Sequence, residues 1–157
     1  IVSFADDMRQ RGLTPRTELI DTGTAPTSKD TAEKLRVEVG EELALIKRLR
    51  FANDEPLSVE RCCLVHRYVP GILENDFSMR SLSEILMMDY NITISSAEQT
   101  IRAQTPTQPI SELLGISEDD PILVIERISY SQYGTPVEFL RILYRADRYT
   151  LHCELKA

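Results

Sequence analysis

Short apolar runs separated by polar turns organise this chain, and they predict more strands than helices. The clearest strands form two pairs, each joined by a polar turn that ends in proline. The predicted pairs are residues 43–52 with 57–65, and residues 122–131 with 137–144. Further strands are predicted over residues 17–22, 93–103 and 149–155. Capping serines and closing glycines predict helices over residues 4–11, 28–36, 82–89 and 107–114.

Two stretches of the chain carry the same pattern. When Arg48 is aligned with Arg127, a helix, an acidic turn and a strand match in both copies, and Pro56 meets Pro136 after one inserted residue. A unit that occurs only twice is not a solenoid array. The duplication predicts one domain with internal pseudo-symmetry and a ligand cleft between its halves. The excess of strands and hairpins predicts the α+β class, with a mainly antiparallel sheet flanked by helices.

The balance of charges limits the function classes. The chain of 157 residues fits one domain, and its net charge of −7 comes from 18 basic and 25 acidic residues. That balance argues against direct binding of nucleic acid by this segment, because such binding requires a basic face. The apolar runs are too short to cross a bilayer, and no signal peptide is visible. Because the chain begins at Ile1 rather than Met, we expect a fragment of a longer protein. Its three cysteines do not form a disulfide framework, which predicts a reduced, cytoplasmic protein.

The cysteines and histidines do not predict a metal or redox site. Cys62 and Cys63 are adjacent, so on a strand they point to opposite faces and cannot ligate one metal together. Cys153 lies far from them, and neither His66 nor His152 has zinc-type spacing. With no Ser/His/Asp order and no Gly-rich phosphate loop, we expect no catalytic residues, no metal and no cofactor.

Two arginines share one face of the first long strand. The period of two places Arg48 and Arg50 on the same side, where guanidinium groups match phosphate or carboxylate oxygens. The alternative is a solvated face or internal ion pairs. Glu60 on the returning strand is a candidate for either an arginine partner or a ligand hydroxyl group.

Glu138 and Tyr144 lie on one face of the last strand of the second copy. The residues between them make that face largely apolar, which suits a pocket wall with a few polar groups. We therefore expect Glu138 to receive hydrogen bonds from ligand hydroxyl or amino groups, with Tyr144 beside it. The competing structural account pairs Glu138 internally with Arg148 or Arg127.

Serines mark two predicted helix starts. Ser81 and Ser83 stand at the start of the third helix, where backbone N–H groups and the helix dipole favour anions. Ordinary capping is the alternative role for Ser81. Ser3, at the first helix, has the same two interpretations.

Several of these motifs resemble the UTRA domain, the effector-sensing half of HutC-branch regulators in the GntR family. The resemblance covers essentially the whole chain, and its closing motif is the most specific part. The motifs are SFADDM at residues 3–8 with RGL at 11–13, RLR at 48–50 with Pro56 and Glu60, and PVE at 136–138 with YRADRY at 144–149.

The resemblance implies a chorismate-lyase-like α+β fold, a homodimer formed through this domain, and a small-molecule effector. It also implies a winged-helix DNA-binding domain before Ile1, so that DNA is contacted only through that part. In members that sense phosphorylated sugars, the positions that hold the phosphate match Arg48, Arg50, Ser81 and Ser83. The positions that hold hydroxyl or amino groups match Glu60, Glu138 and Tyr144.

One position departs from the family pattern. Ser83 stands where many relatives carry Tyr, which removes a ring that would close one side of the pocket. Other members sense non-phosphorylated metabolites such as urocanate, so the ligand class stays open. The favoured interpretation is a non-enzymatic sensor of a small anion, such as a sugar phosphate. The alternatives are a chorismate-lyase-type enzyme and a dimerisation module with a vestigial pocket.

Overall fold

The computed structural model describes residues 2–157, and it confirms the α+β class with a six-stranded antiparallel sheet and four helices. The helices are α1 (Phe4–Gln10), α2 (Lys29–Leu35), α3 (Leu82–Tyr90) and α4 (Gln108–Leu114). The strands are β1 (Pro15–Pro26), β2 (Glu42–Ala52), β3 (Glu55–Val65), β4 (Ile94–Gln104), β5 (Ile122–Ser131) and β6 (Pro136–Arg145). Two 3₁₀ turns, His66–Tyr68 and Ile72–Glu74, connect β3 to α3.

The order of the strands shows that the duplication extends over the whole domain. The sheet runs β1-β2-β3-β6-β5-β4, and each half contributes a helix, an edge strand, a second helix and a hairpin. The halves meet where β3 pairs with β6, and Arg61 lies opposite Arg141 at that junction. Helix α2 packs on β6 and α4 packs on β3, so each half covers a strand of the other. A pseudo-two-fold axis therefore passes between β3 and β6.

Each face of the sheet has its own apolar core. Helices α1 and α3 and the 3₁₀ turns cover one face, which carries the largest cluster of buried apolar residues. Helices α2 and α4 cover the two ends of the opposite face, over two smaller clusters. Because successive strand residues point to opposite faces, the predicted face of β2 that carries the arginines also carries buried Ala44 and Ile46.

Local sequence explains how the elements begin and turn. Ser3, Ser28 and Ser81 each accept a hydrogen bond from the backbone N–H three residues later, which satisfies one free donor of the helix start. In the first hairpin, Asn53 and Asp54 have φ values of 49° and 62°, which a tight two-residue turn requires. These features were visible in the sequence, and the predicted helices and hairpins are confirmed with bounds shifted by one or two residues.

Two sequence expectations about strands differ from the structure. The predicted strand over residues 149–155 is wrong, because the chain has no regular structure after β6. Strand β6 pairs with β3 on one side and with β5 on the other, so the segment that follows β6 has no free strand edge beside it. Strand β1 is longer than the predicted 17–22, because it pairs with the whole length of β2. Within residues 2–157, no helix is long and apolar enough to cross a membrane.

Candidate functional site

A cavity of about 490 Å³ opens between helices α1 and α3 and the face of the sheet that they cover. Its floor is formed by β2, β3, β5 and β6, and its sides by the first turns of α1 and α3 and the segment before α3. The structure brings together in its lining all eight residues singled out from the sequence. They are Ser3, Arg48, Arg50, Glu60, Ser81, Ser83, Glu138 and Tyr144.

The deepest part of the floor is a cluster of two arginines around one carboxylate. Arg48 and Glu60 lie directly opposite each other on β2 and β3, and the guanidinium of Arg48 donates to Oε1 of Glu60. Nη2 of Arg50 lies 3.1 Å from Oε2 of the same carboxylate, and its Nη1 donates to Thr17 Oγ1 at 2.9 Å. The internal ion pairs that the sequence left open are therefore present.

These ion pairs do not balance the charge of the cluster. Burial alone would raise the pKa of Glu60, but its attraction to both arginines and their hydrogen bonds lower it to about 2. Burial lowers the pKa of Arg50, and Glu60 only partly opposes that effect. One carboxylate thus serves two buried guanidinium groups. The Nε atoms of Arg48 and Arg50 are buried and have no hydrogen-bond partner in the described part of the chain, residues 2–157, so the cluster keeps unused donors and excess positive charge.

Glu138 is a second buried carboxylate with a different environment. It accepts a hydrogen bond from Ser129 Oγ at 2.8 Å and one from the thiol of Cys62 at 3.3 Å. Burial raises its pKa, which these hydrogen bonds and the more distant Arg48 only partly oppose. The internal ion pair with Arg127 or Arg148 is absent within residues 2–157.

The two arginines considered for that pair are engaged elsewhere. Arg127 donates to Gln99 Oε1 at 3.0 Å, and Arg148 pairs with Glu55. Glu138 therefore presents to the cavity a carboxyl group whose hydrogen-bond donors, as far as residues 2–157 show, are the neutral Ser129 and Cys62 side chains.

An aromatic wall closes one side of the cavity. The rings of Tyr144 and Tyr149 stack with centroids 3.8 Å apart and an angle of 12° between their planes. The guanidinium of Arg11 lies 4.5 Å from the Tyr149 ring, and Nη1 of Arg11 donates to the carbonyl of Thr150 at 3.0 Å. The tail that was expected to form a strand instead lies against α1 and holds a buried Tyr149 at the cavity.

Two helix starts border the cavity. Ser81 Oγ accepts from the Glu84 backbone N–H at 3.2 Å and lies 3.4 Å from Ser83 Oγ. Ser3 Oγ accepts from the Asp6 N–H and donates to the Asp6 carboxylate at 2.9 Å. Capping is thus the observed role of Ser3 and Ser81. The hydroxyl of Ser83 is available to a molecule in the cavity.

Sequence reasoning missed several residues of the lining. They include Thr17, Ser129, Arg127, Tyr149 and Arg80. Ser129 carried a signal that could have been used, because it is aligned with Arg50 in the duplicated pattern. Tyr149 could not be found from alternation along the chain, because its segment is not a strand.

The chemistry of this cavity suits binding of a polar anion. Across residues 2–157, no group of three His, Cys, Asp or Glu side chains could hold a metal ion. The thiol of Cys62 is a poor nucleophile here, because burial and the nearby carboxylates raise its pKa well above its ordinary value. The cavity combines cationic donors, a carboxyl group, hydroxyl groups and aromatic surface, as ligand pockets commonly do.

Comparison with known protein families matches residues 10–150 to the UTRA domain. The repressor NagR of Bacillus subtilis is 32% identical over 150 residues, which cover 96% of this chain and 61% of NagR. The regulator GgaR of Escherichia coli K12 is 25% identical over 155 residues, covering 96% of this chain and 59% of GgaR. This chain therefore spans about three fifths of the length of these curated relatives, both of which are HTH-type transcriptional regulators by name.

Among solved structures, PhnF from Mycobacterium smegmatis has the same fold. It superimposes with a TM-score of 0.95 at 24% identity, over 100% of this chain and 69% of PhnF. At that identity the match shows the fold alone. The whole of this chain, from α1 to the tail after β6, is thus one recurring structural unit.

Proposed function

Because this chain belongs to the UTRA domain family, we propose that it senses a small anionic effector for a GntR-type transcription regulator. The effector occupies the 490 Å³ cavity and changes DNA binding by a separate winged-helix domain. The observation that carries the proposal is the buried cluster in which Arg48 and Arg50 share the single carboxylate of Glu60. An anion bound there supplies the negative charge that the cluster lacks.

The anionic group of the effector lies between Arg50 and the start of α3. Arg50 is the more accessible arginine, since its side chain is 13% exposed and that of Arg48 is 3% exposed. Backbone N–H groups at the start of α3, together with the Ser83 hydroxyl, add donors for oxyanion oxygens. A phosphate group uses all of these donors, and we therefore propose a sugar phosphate as the effector.

The rest of the effector meets the other half of the cavity. Glu138 and Ser129 offer a carboxyl and a hydroxyl group for sugar hydroxyls or an amine. The stacked rings of Tyr144 and Tyr149 provide a flat apolar surface for the carbon skeleton. A cavity of this size holds one small metabolite.

We also propose that the domain forms a homodimer. The edge strands β1 and β4 each pair on one side only, and they are 12 and 11 residues long. Leu19 and Ile20 on β1 and Ile101 on β4 are exposed apolar side chains. Long edges of this kind favour pairing with another chain. Sedimentation at micromolar concentration is expected to show a species of twice the chain mass of 17.9 kDa, and a monomer alone would contradict this.

Effector binding and DNA binding are thermodynamically linked in such a regulator. An effector that lowers the affinity for DNA is itself bound more weakly by the DNA-bound regulator, by the same factor. Binding also stabilises the domain, by about 2.7 kcal/mol at one hundred times the dissociation constant. A thermal-shift screen of sugar phosphates, each beside its unphosphorylated sugar, therefore identifies candidates for titration.

The decisive variant is Arg50→Gln. Replacing both arginines would leave Glu60 as a buried unpaired carboxylate, and the loss of fold would obscure the loss of binding. We expect Arg50→Gln to weaken binding of the phosphorylated ligand at least about tenfold, the value of one charged hydrogen bond. The unphosphorylated sugar should be much less affected. Calorimetric titration measures both affinities.

Arg102→Gln is the matched control, since Arg102 is an exposed strand arginine outside the cavity. Unchanged phosphate affinity in Arg50→Gln would contradict the proposed position of the anion. Incubation of the wild-type domain with chorismate tests the enzymatic alternative. Release of product would contradict a sensor role.

A further inference from the structure

A row of basic residues crosses the middle of the sheet on the face opposite the effector cavity. Lys47 on β2 lies opposite Arg61 on β3, and Arg61 lies opposite Arg141 on β6. These residues alternate with Arg48, Glu60 and Leu140, which point to the effector cavity. Three cations therefore occupy neighbouring positions between α2 and α4, at the junction of the two halves. Like charges placed directly opposite each other destabilise a sheet.

The row is not neutralised by carboxylates at its ends. Glu126 continues the row beyond Arg141, but its carboxylate is bound by Arg102 at 2.5 Å. Asp21 lies opposite Lys47 at the other end, yet no ion pair forms between them within residues 2–157. Neither Lys47 nor the two arginines of the row has a carboxylate partner in that part of the chain.

A second cavity, of about 190 Å³, lies beside this row. All three basic residues line it, and its lining contains no acidic residue. The remaining walls are apolar or neutral: Val59, Gln104, Thr107, Ile110, Ile122 and Leu143. Lys47 and Arg141 are half-buried and Arg61 is exposed, so the apolar walls shield the first two cations from water in part and strengthen their attraction for an anion.

Arg141 adds an observation that points to a ligand. Its Nε atom is buried and donates to no partner within residues 2–157. A buried donor without an acceptor is costly, and most such donors in proteins are satisfied. The guanidinium lines the cavity, so an oxygen atom placed there can accept from Arg141 while it also neutralises Arg61.

We propose that this second cavity binds a small polyvalent oxyanion, either free phosphate or pyrophosphate or the phosphoryl group of a metabolite. Its volume suits one such group rather than a whole sugar phosphate. Two copies of the domain docked through this face would bring their cations together, which excludes simple self-association as the occupant. The bound oxyanion bridges β3 and β6 and thereby stabilises the junction between the halves.

The test compares anions at constant ionic strength. Chloride screens the repulsion among the three cations but cannot bridge them as a polyvalent oxyanion can. Thermal unfolding of the 157-residue chain is measured in potassium chloride and in increasing phosphate or pyrophosphate. We expect phosphate and pyrophosphate to raise the unfolding temperature of the wild type. The Arg141→Gln variant should need at least about ten times the anion concentration to reach the same rise. Lys29→Gln, an exposed basic residue outside the cavity, serves as the matched control and should respond like the wild type.

Three further measurements separate this site from the effector cavity and identify the source of the bound group. Arg50→Gln should retain the anion response that Arg141→Gln loses. Crystals grown with selenate should show an anomalous peak between Arg61 and Arg141. Comparing free phosphate with a panel of phosphorylated metabolites distinguishes the two sources of the group.

The proposal is wrong if Arg141→Gln responds to phosphate as the wild type does. It is also wrong if selenate is found only beside Arg48 and Arg50. A cavity that ignores every oxyanion and binds only an acidic macromolecule would equally overturn it.

Discussion

The two halves of this domain share a backbone but carry different chemistry at equivalent positions. Arg48 and Arg50 in the first half are aligned with Arg127 and Ser129 in the second. The first pair forms a buried ionic cluster with Glu60, whereas Arg127 and Ser129 hydrogen-bond Gln99 and Glu138. The duplication therefore fixed the shape of the cavity, and divergence of a few side chains made its two ends unlike.

The carboxylates show the same divergence. The position equivalent to Glu60 is occupied by Leu140, and the position equivalent to Glu138 by Ser58. Each half thus contributes one buried acid, at a different place on its returning strand. A symmetric scaffold with unlike ends can bind an asymmetric molecule in a single orientation.

Glu60→Gln should give the largest effect on stability. Glu60 is the only carboxylate among residues 2–157 that pairs with Arg48 and Arg50, so the change leaves two guanidinium groups buried together. Breaking a buried ion pair in this way typically costs about 3–5 kcal/mol. We expect a loss of that order in the free energy of unfolding, measured with urea at pH 7.

Leu140→Met is the matched change at the equivalent position of the second half. It alters shape but not volume or charge, so it should cost less than about 1.5 kcal/mol. Equal losses in the two variants would show that packing, rather than charge, holds this part of the sheet.

The two buried acids should respond to pH in opposite directions. The pKa of Glu60 is lowered to about 2, so its contribution to stability is complete above the unfolded value of about 4.3 and is lost as pH falls towards 2. The pKa of Glu138 is raised, so its contribution is complete below about 4.3 and is lost as pH rises through the folded value.

Glu138→Gln isolates the second response. At the acidic end of the range the protonated form of the Glu138 carboxyl predominates in the wild type, so the difference from the variant comes mainly from the altered hydrogen bonds. As pH rises, the free energy of unfolding of the variant should increase relative to that of the wild type. The increase is about 1.4 kcal/mol for each unit by which folding raises the pKa of Glu138. Urea unfolding at several pH values between 4 and 7.5 measures this gain. A constant difference would show that the pKa of Glu138 is not raised.

The helix ends offer the smallest test of the comparison. The residue that caps the end of α2 is Arg36, with a φ of 54°, and the equivalent cap of α4 is Gly115, with a φ of 67°. A side chain in this left-handed conformation costs about 1 kcal/mol. Gly115→Ala should lose about that amount, because its Cβ would meet no atom within 4 Å and only the backbone conformation opposes it.

Arg36→Gly is the reciprocal change. Glycine removes the conformational cost at this position, so the free energy of unfolding should rise. The rise is reduced because the variant also loses the guanidinium group that lies 5.5 Å from the Tyr130 ring. Arg36→Ala removes that contact while keeping the strained conformation, and so separates the two terms. Thermal unfolding of the three variants tests this, and the unfolding temperature of Arg36→Gly is expected to be higher than that of Arg36→Ala.

Much of the architecture was predictable because it rests on local interactions. Helix caps such as Ser28, turn residues such as Asn53 and the alternation along β2 act over a few residues, and each left a readable pattern. The tail after β6 was mispredicted because alternation alone cannot show whether a strand edge is free. The full extent of the duplication was also missed, since α1 and α3 differ strongly in sequence.

The sequence by itself determined the class of fold, the face that each strand residue occupies, and eight residues of the cavity lining. The fold class and the face of each strand residue follow from backbone periodicity and hydrogen-bond chemistry within each segment, whereas the choice of the eight lining residues also rested on the resemblance to the UTRA family. Tertiary structure decided which charges meet. Only the pairing of β2 with β3 gave Arg48 and Arg50 a shared carboxylate, and only the meeting of β3 with β6 brought Arg61 against Arg141. Long-range strand order governs these contacts, because side chains from distant segments become neighbours only when the sheet forms.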